Sequence, residues 1–131
     1  MKKTDLRIGN LVGIKETALH ADGCNHSEAI FEIEEIKKGV VQFKGYHANE
    51  YYKDLNPIPL TEQWLLDFGF KVEREFYDKG KLSISLANPK DYHPNGRVSY
   101  NSWAIMESQP KYVHQLQNLY FALTGEDLIL K

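Results

Sequence analysis

The chain has 131 residues and a mass of 15.2 kDa, with 42% apolar, 12% aromatic and 26% charged residues, a composition that excludes a disordered or fibrous chain. A chain this long buries roughly two-thirds of the surface it exposes when unfolded, enough for a core without disulfide or metal staples and too little for an elaborate multidomain enzyme. Its 16 basic and 18 acidic residues leave a net charge of -2, and the spans 1–60 and 61–131 each hold 8 basic and 9 acidic residues, so no charged half or tail points to nucleic acid or to an anionic membrane.

Apolar residues open the chain in alternation, with Leu6, Ile8, Val12 and Ile14 on one parity, which predicts a strand that Gly9 and Gly13 bend. Residues 15–28 lose all periodicity and read as a long loop. A second strand over 29–36 turns at Lys37-Lys38-Gly39 into a third over 40–43, a hairpin. Pro57 and Pro59 fix φ and exclude a helix, so residues 56–60 form an extended connector. A two-turn helix follows, with Thr61 placed to cap it, Glu62 at the positive end of its dipole, Leu60 and Leu65 spaced as a staple, and Gly69 as its stop. Such a helix cannot stand alone, so Trp64, Leu65 and Phe68 must dock on another element.

Strands return over 71–77 and, after a turn at 78–80, at the alternating Leu82, Ile84 and Leu86. A loop over 88–96 leads to a strand at 98–106, whose parity shifts between Tyr100 and Trp103, so a bulge is expected there. Pro110 then precedes the strongest helical pattern, residues 111–124. Val113, Leu116, Tyr120 and Leu123 form its stripe, Tyr112 and Leu119 widen it, and Gly125 ends it. The expected class is α+β: a small curved N-terminal β unit over 1–56, an SH3-like half-barrel, and over 57–131 a helix, a three-stranded antiparallel meander and a final helix. A 60-residue β unit alone is marginal, which favours both parts packing as one compact body.

Three segments, LRIGNLV at 6–12, PIPLTEQWL at 57–65 and YVHQLQNLYFALTGE at 112–126, resemble a family of small uncharacterised proteins associated with prophages and mobile elements of gut bacteria. The resemblance follows the order of segments over nearly the whole chain and implies a cytoplasmic bacterial or phage protein. It carries no catalytic or binding residue across. Relative to shorter members, residues 17–27 look like an insertion.

The lone Cys24 cannot close an intramolecular disulfide, and residues 1–5 lack the apolar run of a signal peptide. No stretch approaches the roughly 20 apolar residues of a membrane-spanning helix, so a cytoplasmic protein without membrane insertion is expected. His20, Cys24 and His26, with Asp22 and Glu28 beside them, are the densest metal-capable set. They lack the second paired motif of a zinc signature, and a solvated loop is the simpler account. No nucleophile elbow, phosphate-cradling loop, dinucleotide fingerprint or zinc-protease helix is present; neither an enzyme nor a cofactor is expected.

Two further sets are candidates for contact with a partner. Tyr46, His47, Tyr51 and Tyr52, flanked by Lys44 and Lys53, resemble surfaces that stack bases, but Glu50 and Asp54 offset the lysines. His114, Gln115, Gln117 and Asn118 make a helix face polar without charge, which fits partial burial, either inside the fold or against another chain. The expected function is a non-catalytic protein-interaction module, self-association included. A weak single-stranded nucleic-acid binder is the first alternative and a metal-binding protein through residues 20–28 the second.

Overall fold

The computed structural model describes residues 6–14, 30–45, 49–90 and 94–130. They divide into two compact units: the chain up to Pro59 with Tyr112–Asp127, and Leu60–Lys111 with the residues from Leu128 onward. The crossing at Pro59 lies close to the boundary read at residue 56, but the final helix joins the first unit and not the second. Its apolar periodicity suits either sheet; the hydrogen bonds described below decide between them. The class is α+β, with strands predominating.

The first unit holds β1 (Leu11–Ile14), β2 (Phe31–Ile36), β3 (Val40–Phe43), β4 (Asn49–Tyr51) and β5 (Leu55–Asn56) in the antiparallel order β4-β3-β2-β1-β5. A 3-10 turn at Tyr52–Asp54 separates β4 from β5. Val12, Ile14, Ile33, Val41, Phe43 and Leu55 are fully buried and Leu6 nearly so, each such side chain contributing roughly 1.5–3 kcal/mol of transfer free energy. Phe31 stacks on Phe43 at 5.0 Å. The opening strand is shorter than its alternation predicts. Gly9, at φ 94°, turns the chain and donates its N–H to the Ile33 carbonyl at 2.7 Å, leaving Ile8 exposed outside the strand.

The second unit begins with α1 (Glu62–Asp67). Thr61 occupies the N-cap position but makes no side-chain cap bond; Thr61, Glu62 and Gln63 are exposed, where amides left without a cap are open to solvent. Leu65 and Phe68 are fully buried. The sheet contains β6 (Lys71–Glu73), β7 (Phe76–Lys79), β8 (Leu82–Ser85), β9 (Arg97–Tyr100) and β10 (Trp103–Met106), each antiparallel to the next. Tyr77, Leu82, Ile84 and Val98 are buried on one face, whereas Asp78, Ser83 and Ser99 lie side by side on the other, the one-sided pattern of an antiparallel sheet.

Five strands stand where the pattern predicts three, because two of the expected strands are folded in half. One breaks at Arg74–Glu75, with Arg74 at φ 59°, and the other at Asn101–Ser102, at φ 53° and 71°. Two successive positive φ values between the paired Tyr100 and Trp103 are the mark of a type I′ hairpin. The parity shift at 100–103 is therefore a turn. The register irregularity lies farther on, between Ala104 and Met106.

Two contacts tie α1 to β7: the Lys79 ammonium donates to the Phe68 carbonyl at 2.8 Å, and the Tyr77 hydroxyl donates to the Glu62 carboxylate. Gly96, at φ 80°, lies where an added Cβ would come within 2.5 Å of the Ser85 carbonyl oxygen, so only glycine fits. The last helix, α2 (Val113–Thr124), buries Val113, Leu116 and Tyr120 and ends at Gly125, whose N–H donates to the Phe121 carbonyl at 2.8 Å.

Two outcomes follow. Ser102→Gly relieves a non-glycine positive φ and completes an Asn-Gly turn, and is expected to raise stability by about 0.5 kcal/mol in urea unfolding after the entropy cost of glycine. Burial, followed by the hydrogen bond to Glu62 and the charge of Glu62, raises the Tyr77 hydroxyl above its ordinary value near 10. The folded chain thus holds this proton more tightly than the unfolded one. The resulting stability is complete below about pH 10 and is lost as pH rises through the raised value. Tyr77→Phe is expected to flatten the alkaline decline of the urea midpoint above about pH 10; an unchanged slope would contradict this.

Candidate functional site

The uncharged face of α2 is occupied by residues 7–11 of the same unit. Gln117 is buried; its Oε1 accepts the Leu11 N–H at 2.8 Å and its Nε2 donates to the Gly9 carbonyl at 3.0 Å. One side-chain amide thus satisfies a donor and an acceptor two residues apart, as a neighbouring strand would. Asn118 Oδ1 accepts from Asn10 Nδ2 at 2.8 Å, and Asn10 Oδ1 accepts the Arg7 N–H at 2.7 Å. The Arg7 guanidinium lies 3.9 Å over the Phe121 ring and 2.9 Å from Asp127. His114 is buried, its ring parallel to that of Tyr112 at 6.0 Å. Gln115 is exposed and reaches back to the Tyr112 N–H at 3.3 Å, half of a capping box.

The tyrosine set separates. Tyr51 on β4 is 59% exposed, whereas Tyr52 packs against the core of the first sheet and donates its hydroxyl to the Lys37 carbonyl. Tyr46 and His47 lie outside the described residues, as do His20, Cys24 and His26.

The most exposed large apolar side chain among the described residues is on a strand that sequence reading did not single out. β10 is the edge of the second sheet and carries Trp103 at 76%, Ile105 at 44% and Met106 at 37% exposure. Its register with β9 pairs Trp103 with Tyr100, Ala104 with Ser99 and Met106 with Val98. Ile105 is therefore an extra residue, and this bulge brings Trp103 and Met106 onto the same face as Tyr100 and Val98. Antiparallel partners alternate between exchanging hydrogen bonds with each other and turning their polar groups outward. Because Tyr100 and Trp103 close the two-residue turn, the N–H and C=O of Ala104 face the open side. The polar face of the sheet holds an open depression of about 780 Å³, lined by Arg74, Lys81 and Arg97 together with Glu73 and Asp78. Asn101 and Ser102 border it beside Lys81.

The signal for this edge is present in the sequence as Trp-Ala-Ile-Met, four consecutive apolar residues without lysine or proline. A strand buried on both faces reads the same way, so only the sheet order reveals that it lies at an edge.

The two kinds of residue on α2 separate in stability. Gln117→Leu leaves the Leu11 N–H and Gly9 C=O without their partner and is expected to cost about 2–3 kcal/mol in urea unfolding. Gln115→Ala removes one exposed capping contact and should cost below about 1 kcal/mol. Equal losses would show that the amide of Gln117 is not what fixes β1. Comparison with known protein families, with characterised proteins and with solved structures gives no match.

Proposed function

We propose that the protein is a non-catalytic interaction module that binds other polypeptides by accepting an extended segment along β10. The observation that carries this reading is the exposure of Trp103, Ile105 and Met106 on a sheet edge whose central residue, Ala104, turns its backbone groups outward. Added strands gain affinity from main-chain hydrogen bonds and specificity from alternate side chains, and tryptophan is enriched among residues that dominate binding energy. The resemblance of the three segments to prophage-associated proteins supports a setting in a phage or mobile element. The first sheet is read as an SH3-like half-barrel, supported by its order β4-β3-β2-β1-β5 and by the 3-10 turn between β4 and β5. This architecture by itself assigns no activity.

The test is a phage-displayed library of random ten-residue peptides panned against the wild-type chain and against Ala104→Pro, which removes the outward amide. Selected peptides are expected to bind wild type and lose most of their affinity for Ala104→Pro. In a Trp64→Phe background, with Trp103 as the sole tryptophan, binding should shift fluorescence to the blue. An empty selection, or equal binding to both proteins, would sink the reading.

A further inference from the structure

The described sheets have four edges, and three are blunted. β4 has three residues and β5 two, whereas β6 has three and places Lys71 and Glu73 on either side of Val72. Short edges and edge charges are the ordinary protection against unwanted pairing. β10 has four residues, Trp103–Met106, and no charge occurs anywhere from Val98 through Met106. Its bulge bends the strand without covering it, and Ala104 still turns its backbone groups to the open side.

Resting on the reading of β10 as a docking edge, we infer that its occupant is β10 of a second copy of this chain, paired antiparallel about a two-fold axis close to Ala104. Antiparallel pairing centred there sets Trp103 of each copy across from Ile105 and Met106 of the other. The indole meets a branched aliphatic side chain and a thioether, contacts suited to a rigid aromatic anchor. The bulge contributes directly, since it places Trp103 and Met106 on one face, and a two-fold axis normal to the sheet continues that face across the junction.

Charge selects the same arrangement. Because the strand is neutral, self-pairing sets no like charges opposite one another, a juxtaposition that destabilises cross-strand pairs. The same pairing carries Glu107, which follows β10, to the Asn101–Ser102 turn of the other copy, where Lys81 lines the adjoining depression. An acid meets a base at each end of the junction, and symmetry supplies the contact twice. A net charge of -2 per copy adds little general repulsion. The interface is isologous, the same strand donating and receiving, so it closes at two copies. A junction of two four-residue strands lies at the small end of stable interfaces, and dissociation on the order of micromolar is expected.

Sedimentation velocity of the full chain from about 1 to about 300 µM spans this range. Wild type is expected to pass from one copy to two across it. Ala104→Pro and Ile105→Lys should remain single at every concentration, with unchanged circular dichroism showing that both are folded. Glu107→Lys and Lys81→Glu are each expected to weaken association roughly 3- to 10-fold, and the double variant should recover most of it. A wild type that stays monomeric, a dimer indifferent to both edge variants, or charge reversals that do not rescue one another would each overturn the second-copy inference. The two readings fail separately: a strictly monomeric wild type whose selected peptides still depend on Ala104 removes only the second copy, whereas loss of self-association and of peptide binding together removes both.

Discussion

The primary amide of Gln117 stands in for a missing strand, and the organisation of the first unit depends on it. Its two polar ends engage the Leu11 N–H and the Gly9 carbonyl, the groups that the chain exposes as it turns at Gly9 and enters β1. β1 is central in its sheet, paired on one side with β2 and on the other with β5, and all four of its residues are buried. A central strand whose leading end lacked hydrogen bonds would bear the desolvation cost of buried amides. Asn118 extends the same service through Asn10 to the Arg7 N–H, and the Arg7 side chain closes the set over Phe121. Residues more than a hundred positions apart are thereby fixed to one another, which accounts for the return of the chain at Tyr112 to finish a unit it began at its start.

In the second unit the comparable constraint is backbone conformation. Arg74, Asn101 and Ser102 hold positive φ, where an L residue costs about 1–2 kcal/mol relative to the right-handed regions. The cost is offset because each reversal returns a half-strand to pair with its neighbour, Lys71–Glu73 with β7 and Trp103–Met106 with β9. It also creates an edge. Without the turn at Asn101–Ser102, residues 103–106 would run on beyond the sheet; with it, they become its last strand and leave Trp103 beside the outward-facing backbone groups of Ala104.

Much of this organisation was legible in the chain itself. The hairpin at 37–39, the connector at Pro57 and Pro59, the helix stopped at Gly69 and the final helix ended by Gly125 all rest on residues whose stereochemistry admits few alternatives. Of the uncharged polar set on the final helix, His114 and Gln117 are buried and Asn118 half-buried, whereas Gln115 is exposed, so the absence of lysine and glutamate marks burial for part of that face and not for all of it. The two half-strand breaks were not legible, since both turns lack glycine and parity alone cannot distinguish a bulge from a reversal. The unit to which the final helix belongs was equally hidden: an apolar stripe matches any sheet, and the hydrogen bonds that decide it join residues 106–108 positions apart. The exposure of β10 was lost for a related reason, since sheet order is a non-local property.

An open apolar edge is a hazard that natural sheets suppress, and here the suppression is uneven. The opposite edge, β6, carries charges of both signs around Val72, whereas β10 carries none. Were both edges neutral, each copy could add to the next without limit, the condition for fibrous growth. One guarded edge and one open edge lead elsewhere: in the head-to-head pairing inferred above, β10 of each copy is covered and the charged β6 strands stand at both ends of the extended sheet. The bulge at Ile105 acts in the same direction, since it shapes the edge for a partner bearing the same irregularity and makes it a poor template for a flat, regular strand. The contrast between the two edges of this sheet is thus one of charge: Trp103–Met106 is neutral, whereas Lys71 and Glu73 flank Val72.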